Sequence, residues 1–130
     1  MTSFLIDANP LLRYLIADIP AQASQTEALL KKAARHEIEA VLSPLVVAEV
    51  VFTLTKSYSW PKAKVCDVLL QFAASPHISI VHRDQLGTSI NLFKQHSLSF
   101  IDCLLLADAR HTHRRIFTFD RRLKSLSNSQ

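Results

Sequence analysis

The sequence predicts an α/β domain, a parallel sheet with helices on both faces. Short apolar runs alternate along the chain with stretches of helical periodicity, and that alternation is the signature of strands joined by covering helices. The second observation is scale. The chain has 130 residues, 48% of them apolar, with no repeat, linker or composition break, so residues 1–130 read as one domain.

Taken in order, Ser3-Phe4-Leu5-Ile6 is an apolar run ending at Asp7, suited to a buried strand. Asn9-Pro10 opens a helix whose Leu11, Leu12, Leu15 and Ile16 recur at helical spacing, with Pro10 in the first turn. Pro20 starts a second helix reaching about His36, and Ile38 to Leu42 reads as the second strand. Ser43-Pro44 pairs an N-cap hydroxyl with a first-turn proline, which predicts a helix to about Tyr58. Pro61 opens the next helix, to about Ala74, and Ile78 to Val81 is a brief third strand. Asp84 to Gln95 has helical spacing despite Gly87, and Ser99 caps a helix running through about His111. Arg115 to Phe119 is expected to form a fourth strand ending at Asp120, and residues 125–130 to fray.

Composition removes several function classes. Gly87 is the only glycine, which excludes glycine-rich dinucleotide turns and phosphate loops, since both need several glycines close together. No apolar run reaches membrane-spanning length; the richest, Leu45 to Leu54, carries Glu49 in its middle. Met1-Thr2-Ser3-Phe4 has no basic leader, and Cys66 and Cys103 have neither zinc-ligand nor disulfide-framework spacing. These features lead us to expect a cytoplasmic protein with reduced, buried thiols. The formal net charge is +4, and the surplus is uneven. Arg110, Arg114, Arg115, Arg121, Arg122 and Lys124 cluster around one acid, Asp120, in an arrangement suited to a polyanion or to a solvated basic face.

Four acids stand in unusual places. Glu49 lies within Val46-Val47-Ala48-Glu49-Val50-Val51, and Asp102 within Phe100-Ile101-Asp102-Cys103-Leu104-Leu105-Leu106. Carboxylates in such apolar helices are expected to be partly buried, where a lone charge is costly without a partner. Asp7 and Asp120 each end a predicted strand, and in open parallel sheets ligands bind at the strands' carboxyl ends. Converging, the four would repel one another unless a cation neutralised them. An all-oxygen set selects Mg2+ or Mn2+, and such a centre suits hydrolysis of a phosphodiester. Each acid also has a structural reading: an ion pair for Glu49, a first-turn dipole partner for Asp102, a helix cap for Asp7 and a turn for Asp120. Asp108, six residues beyond Asp102, falls on another helix face and reads as structural.

Weaker candidates surround the quartet. Asn9 can hold Asp7 or a water, or serve as a cap; Thr118, two residues before Asp120, shares its strand face; Ser99 lies one turn before Asp102 and suits capping. Arg13 suits a substrate phosphate or a surface ion pair. His111-Thr112-His113 lacks further zinc-type partners, and the phenylalanines read as core.

Phe4-Leu5-Ile6-Asp7-Ala8-Asn9-Pro10-Leu11-Leu12-Arg13-Tyr14-Leu15 resembles the opening of PIN-domain ribonucleases, particularly VapC-type toxins of toxin–antitoxin pairs. Ser43-Pro44-Leu45-Val46-Val47-Ala48-Glu49-Val50 is similar to their second motif, Phe100 to Ala107 to the third, and Phe117-Thr118-Phe119-Asp120-Arg121-Arg122-Leu123 to the fourth. The resemblance runs in order over nearly the whole chain. It implies a Rossmann-like three-layer α/β/α domain that cuts single-stranded or looped RNA with Mg2+ or Mn2+. It assigns Asp7, Glu49, Asp102 and Asp120 as the acidic quartet, with Asn9 and Thr118 in support. It also implies a homodimer and an antitoxin whose C-terminal segment blocks the cleft. Two positions depart from the pattern: Ser99 stands where many relatives carry a further acid, and His111-Thr112-His113-Arg114 replaces a glycine-bearing turn.

The resulting expectation is a metal-dependent endoribonuclease of the toxin type, with Arg13, Arg114, Arg115, Arg121 and Arg122 available to RNA phosphates. The alternative is a non-catalytic RNA- or protein-binding domain on the same fold. A phospho-receiver is disfavoured because Asp7-Ala8-Asn9 supplies one acid after the first strand rather than a pair.

Overall fold

The computed structural model describes residues 1–128. Among them, β1 (Ser3–Leu5), β2 (Glu39–Leu42) and β3 (Ile78–Ile80) form a parallel sheet in the order β1-β2-β3. The helices are α1 (Ala8–Ile16), α2 (Pro20–Ala34), α3 (Pro44–Lys56), α4 (Lys62–Ala74), α5 (Arg83–Gln95), α6 (Phe100–Thr112) and α7 (Arg121–Asn128). This mostly helical α/β arrangement is consistent with the expected three-layer α/β/α architecture. No helix among the described residues is long and apolar enough to cross a membrane.

The helix starts follow from local chemistry. Pro20 and Pro44 occupy the first turns of α2 and α3, where a missing N–H costs nothing. Leu45 N–H donates to Ser43 Oγ at 3.2 Å, and Asp102 N–H donates to Ser99 Oγ at 3.1 Å, so each serine satisfies an orphan amide at a helix start. The core joins strand residues Ala40, Leu42 and Ile78 to Val47, Val51 and Leu54 of α3, Val65 and Leu69 of α4, Leu86 and Ile90 of α5, and Leu106 of α6. Two polar devices fasten the helices together. Thr26 Oγ1 of α2 donates to Pro10 O of α1 at 3.0 Å. Lys62 Nζ, at the start of α4, donates to Phe93 O at 2.8 Å and His96 O at 3.0 Å, satisfying carbonyls at the end of α5.

β1 is the lightly covered edge of the sheet. Among the described residues it pairs only with β2, and Leu5 is 71% exposed while Ala40 is fully buried. The expected fourth strand is not formed among the described residues. Arg115 to Phe119 lies outside any sheet, and Phe117 and Phe119, both 90% exposed, meet edge to face at 5.6 Å between ring centroids. Side chains take up backbone donors that a ladder would use: Ile116 N–H donates to Ser127 Oγ at 3.4 Å and Asp120 N–H to Thr118 Oγ1 at 3.0 Å. Of the stretch expected to fray, residues 125–128 lie in α7, and the last residues lie outside the described ones. Leu123, in the core, and Leu126, packed against it, hold α7 down.

Candidate active site

Asp7 follows β1 directly and takes the N-cap position of α1 in extended conformation, φ −78° and ψ 162°. Buried Ile6 and Ala8 flank it, fixing the backbone and directing the exposed Asp7 outward. Its carboxylate makes no capping bond, so the cap reading does not account for it. Asn9 is exposed in the first turn of α1 rather than capping it.

Glu49 stands on α3 between buried Ala48 and Val50. The burial expected of it is corrected: Glu49 is exposed, on the same stripe as Leu45 and Phe52, which are 81% and 64% exposed. The run around it is apolar on every side because α3 meets the core on one face and presents apolar side chains on the other. Asp102 is half-buried in the first turn of α6, as its sequence context suggests. Burial, reinforced by the neighbouring Asp102 charge, pushes the Cys103 thiol up to about 11.

α1 packs on α3, and α3 on α6, so Asp7, Glu49 and Asp102 stand on successive neighbours. Among the described residues none of the three carboxylates has an ion pair; the ion pairs there are Arg13–Asp18, Lys31–Glu27 and Arg35–Glu37. The ion-pair reading of Glu49 therefore falls. As hard, unpaired oxygen donors, the three suit a divalent cation in chemistry. In spacing they do not form a ready-made centre: no group of three His, Cys, Asp or Glu among the described residues is placed to hold a metal ion.

Asp120 is placed differently from the sequence expectation. It ends no strand; its Oδ1 accepts from Leu123 N–H at 2.8 Å and caps α7, in line with its turn reading. Thr118, half-buried, serves that turn through its hydroxyl. Ser99 caps α6, as its spacing suggests. Arg13 is engaged by the Tyr58 hydroxyl at 3.3 Å and by Asp18, and these partners, Tyr58 foremost, raise its already high pKa. Its buried Nε has no hydrogen-bond partner among the described residues. Tyr58 lies 45 residues from Arg13 in sequence, and no local pattern announces that contact. Arg114, Arg115, Arg121 and Arg122 are all exposed, with Arg122 3.4 Å from His96 Nδ1.

The family model for the PIN domain matches residues 4–128. No curated protein and no solved structure matches the chain. The family match runs from within β1 to the end of α7 and includes every acid considered above. The chain belongs to the PIN-domain family, whose fold is of the nuclease type.

Proposed function

We propose that the chain is a Mg2+- or Mn2+-dependent endoribonuclease and the toxin component of a type II toxin–antitoxin pair, working in the cytoplasm. The observation that carries this reading is the set of unpaired carboxylates, Asp7, Glu49 and Asp102, on packed neighbouring elements of a nuclease-type fold. Asp7, Glu49 and Asp102 would hold the cation, with Asp120 contributing the oxygen that its cap leaves over. When bound, the cation supplies Lewis acidity toward a phosphoryl oxygen and makes a coordinated water more acidic. Asn9 and Thr118 orient the acids beside them, while Ser99 fixes the turn that carries Asp102. Arg114, Arg115, Arg121 and Arg122 draw the RNA backbone in by charge, without reading its sequence. Arg13, held by Asp18 and Tyr58, serves the fold ahead of the substrate in this reading.

A second copy of the chain suits the exposed stripe of α3 and α6. Leu45 and Phe52 on α3, with Ile101 at 65% and Leu105 at 46% exposure on α6, form apolar surface on two helices that pack together. A cognate antitoxin would act by covering the acids beside that surface.

The test is RNA cleavage by Asp7→Asn in the presence of Mn2+. Cleavage should be abolished while circular dichroism and melting stay those of the parent. Full cleavage by the folded variant, free of contaminating nuclease, overturns the assignment. The spread of the acids favours one other reading, a non-catalytic RNA- or protein-binding domain. Calorimetric titration with Mn2+ separates the two, since the nuclease binds the cation through Asp7 and the binding domain does not.

A further inference from the structure

A pocket of about 470 Å3 lies at the other end of α6 from Asp102, lined by His113, Arg114, Arg115, Ser127 and Asn128. None of these described lining residues carries a carboxylate. His113 adopts a left-handed conformation, φ 56° and ψ 39°, which turns the chain sharply out of α6. Arg114 N–H is anchored on Ala109 O at 2.9 Å, so the two arginines leave the helix from a fixed backbone. Both are exposed, and neither has an ion pair among the described residues. Two guanidinium forks with an imidazole and a carboxamide make a lining suited to a phosphate oxyanion.

The helix ends argue in the opposite direction, and magnitudes decide. α6 and α7 both terminate here, each bringing roughly half a negative charge. Two guanidinium charges exceed those two half-charges by about one unit, so the described lining carries a positive surplus. Its position sets the ligand. Asp102 and His113 are separated by most of α6, about 16 Å at 1.5 Å per residue. A group bound in the pocket is thus too far away to be the reacting phosphate, yet within reach of the same single strand.

We propose that this pocket is a phosphate subsite that grips the RNA backbone a few nucleotides from the bond being cut. The proposal rests on the nuclease reading for the identity of its ligand. It assigns Arg114 and Arg115 to one discrete site, apart from the more diffuse charge of Arg121 and Arg122.

The experiment measures binding of a fluorescent 10-nucleotide single-stranded RNA by anisotropy in EDTA, where no metal-dependent cleavage occurs. The protein is the full chain, as parent, as Arg114→Gln/Arg115→Gln and as Arg121→Gln/Arg122→Gln. The first pair should weaken binding about tenfold, as expected for a charged hydrogen-bonded contact. It should also flatten the dependence of log K on log salt by about 0.7, one phosphate's worth for a single strand. Loss of melting temperature with RNA affinity intact would mean that the arginines only serve the helix ends, and overturns the proposal. An equal loss from the Arg121/Arg122 pair overturns it too, since the grip would then be diffuse. Inorganic phosphate added alone separates sources: if it stabilises the parent but does not compete with RNA, the pocket takes the free ion and the subsite falls. Failure of the nuclease reading is distinct, because it appears as cleavage by Asp7→Asn, which this binding assay does not measure.

Discussion

Asp120 caps α7, and two substitutions separate that cap from the proposed metal-holding role. Oδ1 accepts from Leu123 N–H at 2.8 Å and starts α7; in the proposed nuclease the other oxygen would help to hold the cation. Asp120→Asn keeps a capping oxygen, since Asn and Asp cap helices about equally well, but removes the charge. Asp120→Ala removes both. Losing the cap costs about 1 kcal/mol, and for a chain of this size that lowers Tm by about 4 °C. The expected results are a Tm within about 1 °C of the parent for Asn and about 4 °C lower for Ala. RNA cleavage should fall at least tenfold in both. Calorimetric melting and a gel assay with Mn2+ supply the two readouts. A drop in Tm for Asn as large as for Ala would refute the capping argument. Undiminished cleavage by Asp120→Asn would refute the proposed second task and leave Asp120 as a structural acid.

Two further expectations follow from the packing. Lys62→Met keeps the aliphatic stem beside Phe93 but deletes the donors to Phe93 O and His96 O. It should cost about 1 kcal/mol, or about 4 °C of Tm by calorimetry, and an unchanged Tm would mean that those carbonyls are satisfied equally well by water. Burial, with Asp102 adding to it, raises the Cys103 thiol from 9.0 to about 11, so between those values the folded chain keeps a proton that the unfolded chain releases. That contribution is fully present below pH 9 and is lost as pH rises through about 11. Urea midpoints should therefore decline more steeply over this window in the parent than in Cys103→Ala, and parallel declines would refute it.

What the sequence made legible was whatever local chemistry determines. Ser43-Pro44 and Ser99 are caps by residue type, and both accept the amides that a cap should accept. The three strand runs are short, and they pair in the expected parallel sense, although β1, read as a buried strand, is an exposed edge. Arg115 to Phe119 has the same strand-like composition, but Ile116 N–H goes to Ser127, and Thr118 takes the N–H of Asp120 just beyond it, a competition no propensity encodes. α7 left a faint trace, Asp120 followed by Leu123, Leu126 and Ser127 at helical spacing, outweighed by its polar, chain-end composition. Glu49 shows the limit of inferring burial from neighbours: an apolar outer face on α3 looks, in sequence, the same as an apolar inner one. The candidate acids were legible as anomalies, whereas their mutual spacing depends on how α1, α3 and α6 pack together.

The one-sided pairing of β1 has a kinetic consequence. In a parallel ladder alternate residues bond to the same neighbour; Ile6 N–H reaches Val41 O at 2.9 Å, while Ser3 and Leu5 turn their amides away from β2. Hydrogen exchange along this strand should accordingly alternate, slow at Phe4 and Ile6 and fast at Ser3 and Leu5. The segment that delivers Asp7 can then detach by breaking one row of hydrogen bonds, well below the cost of global unfolding. A ligand held by Asp7 would have to work against that detachment, and slowed exchange at Phe4 and Ile6 would report its binding even where no bond is cut.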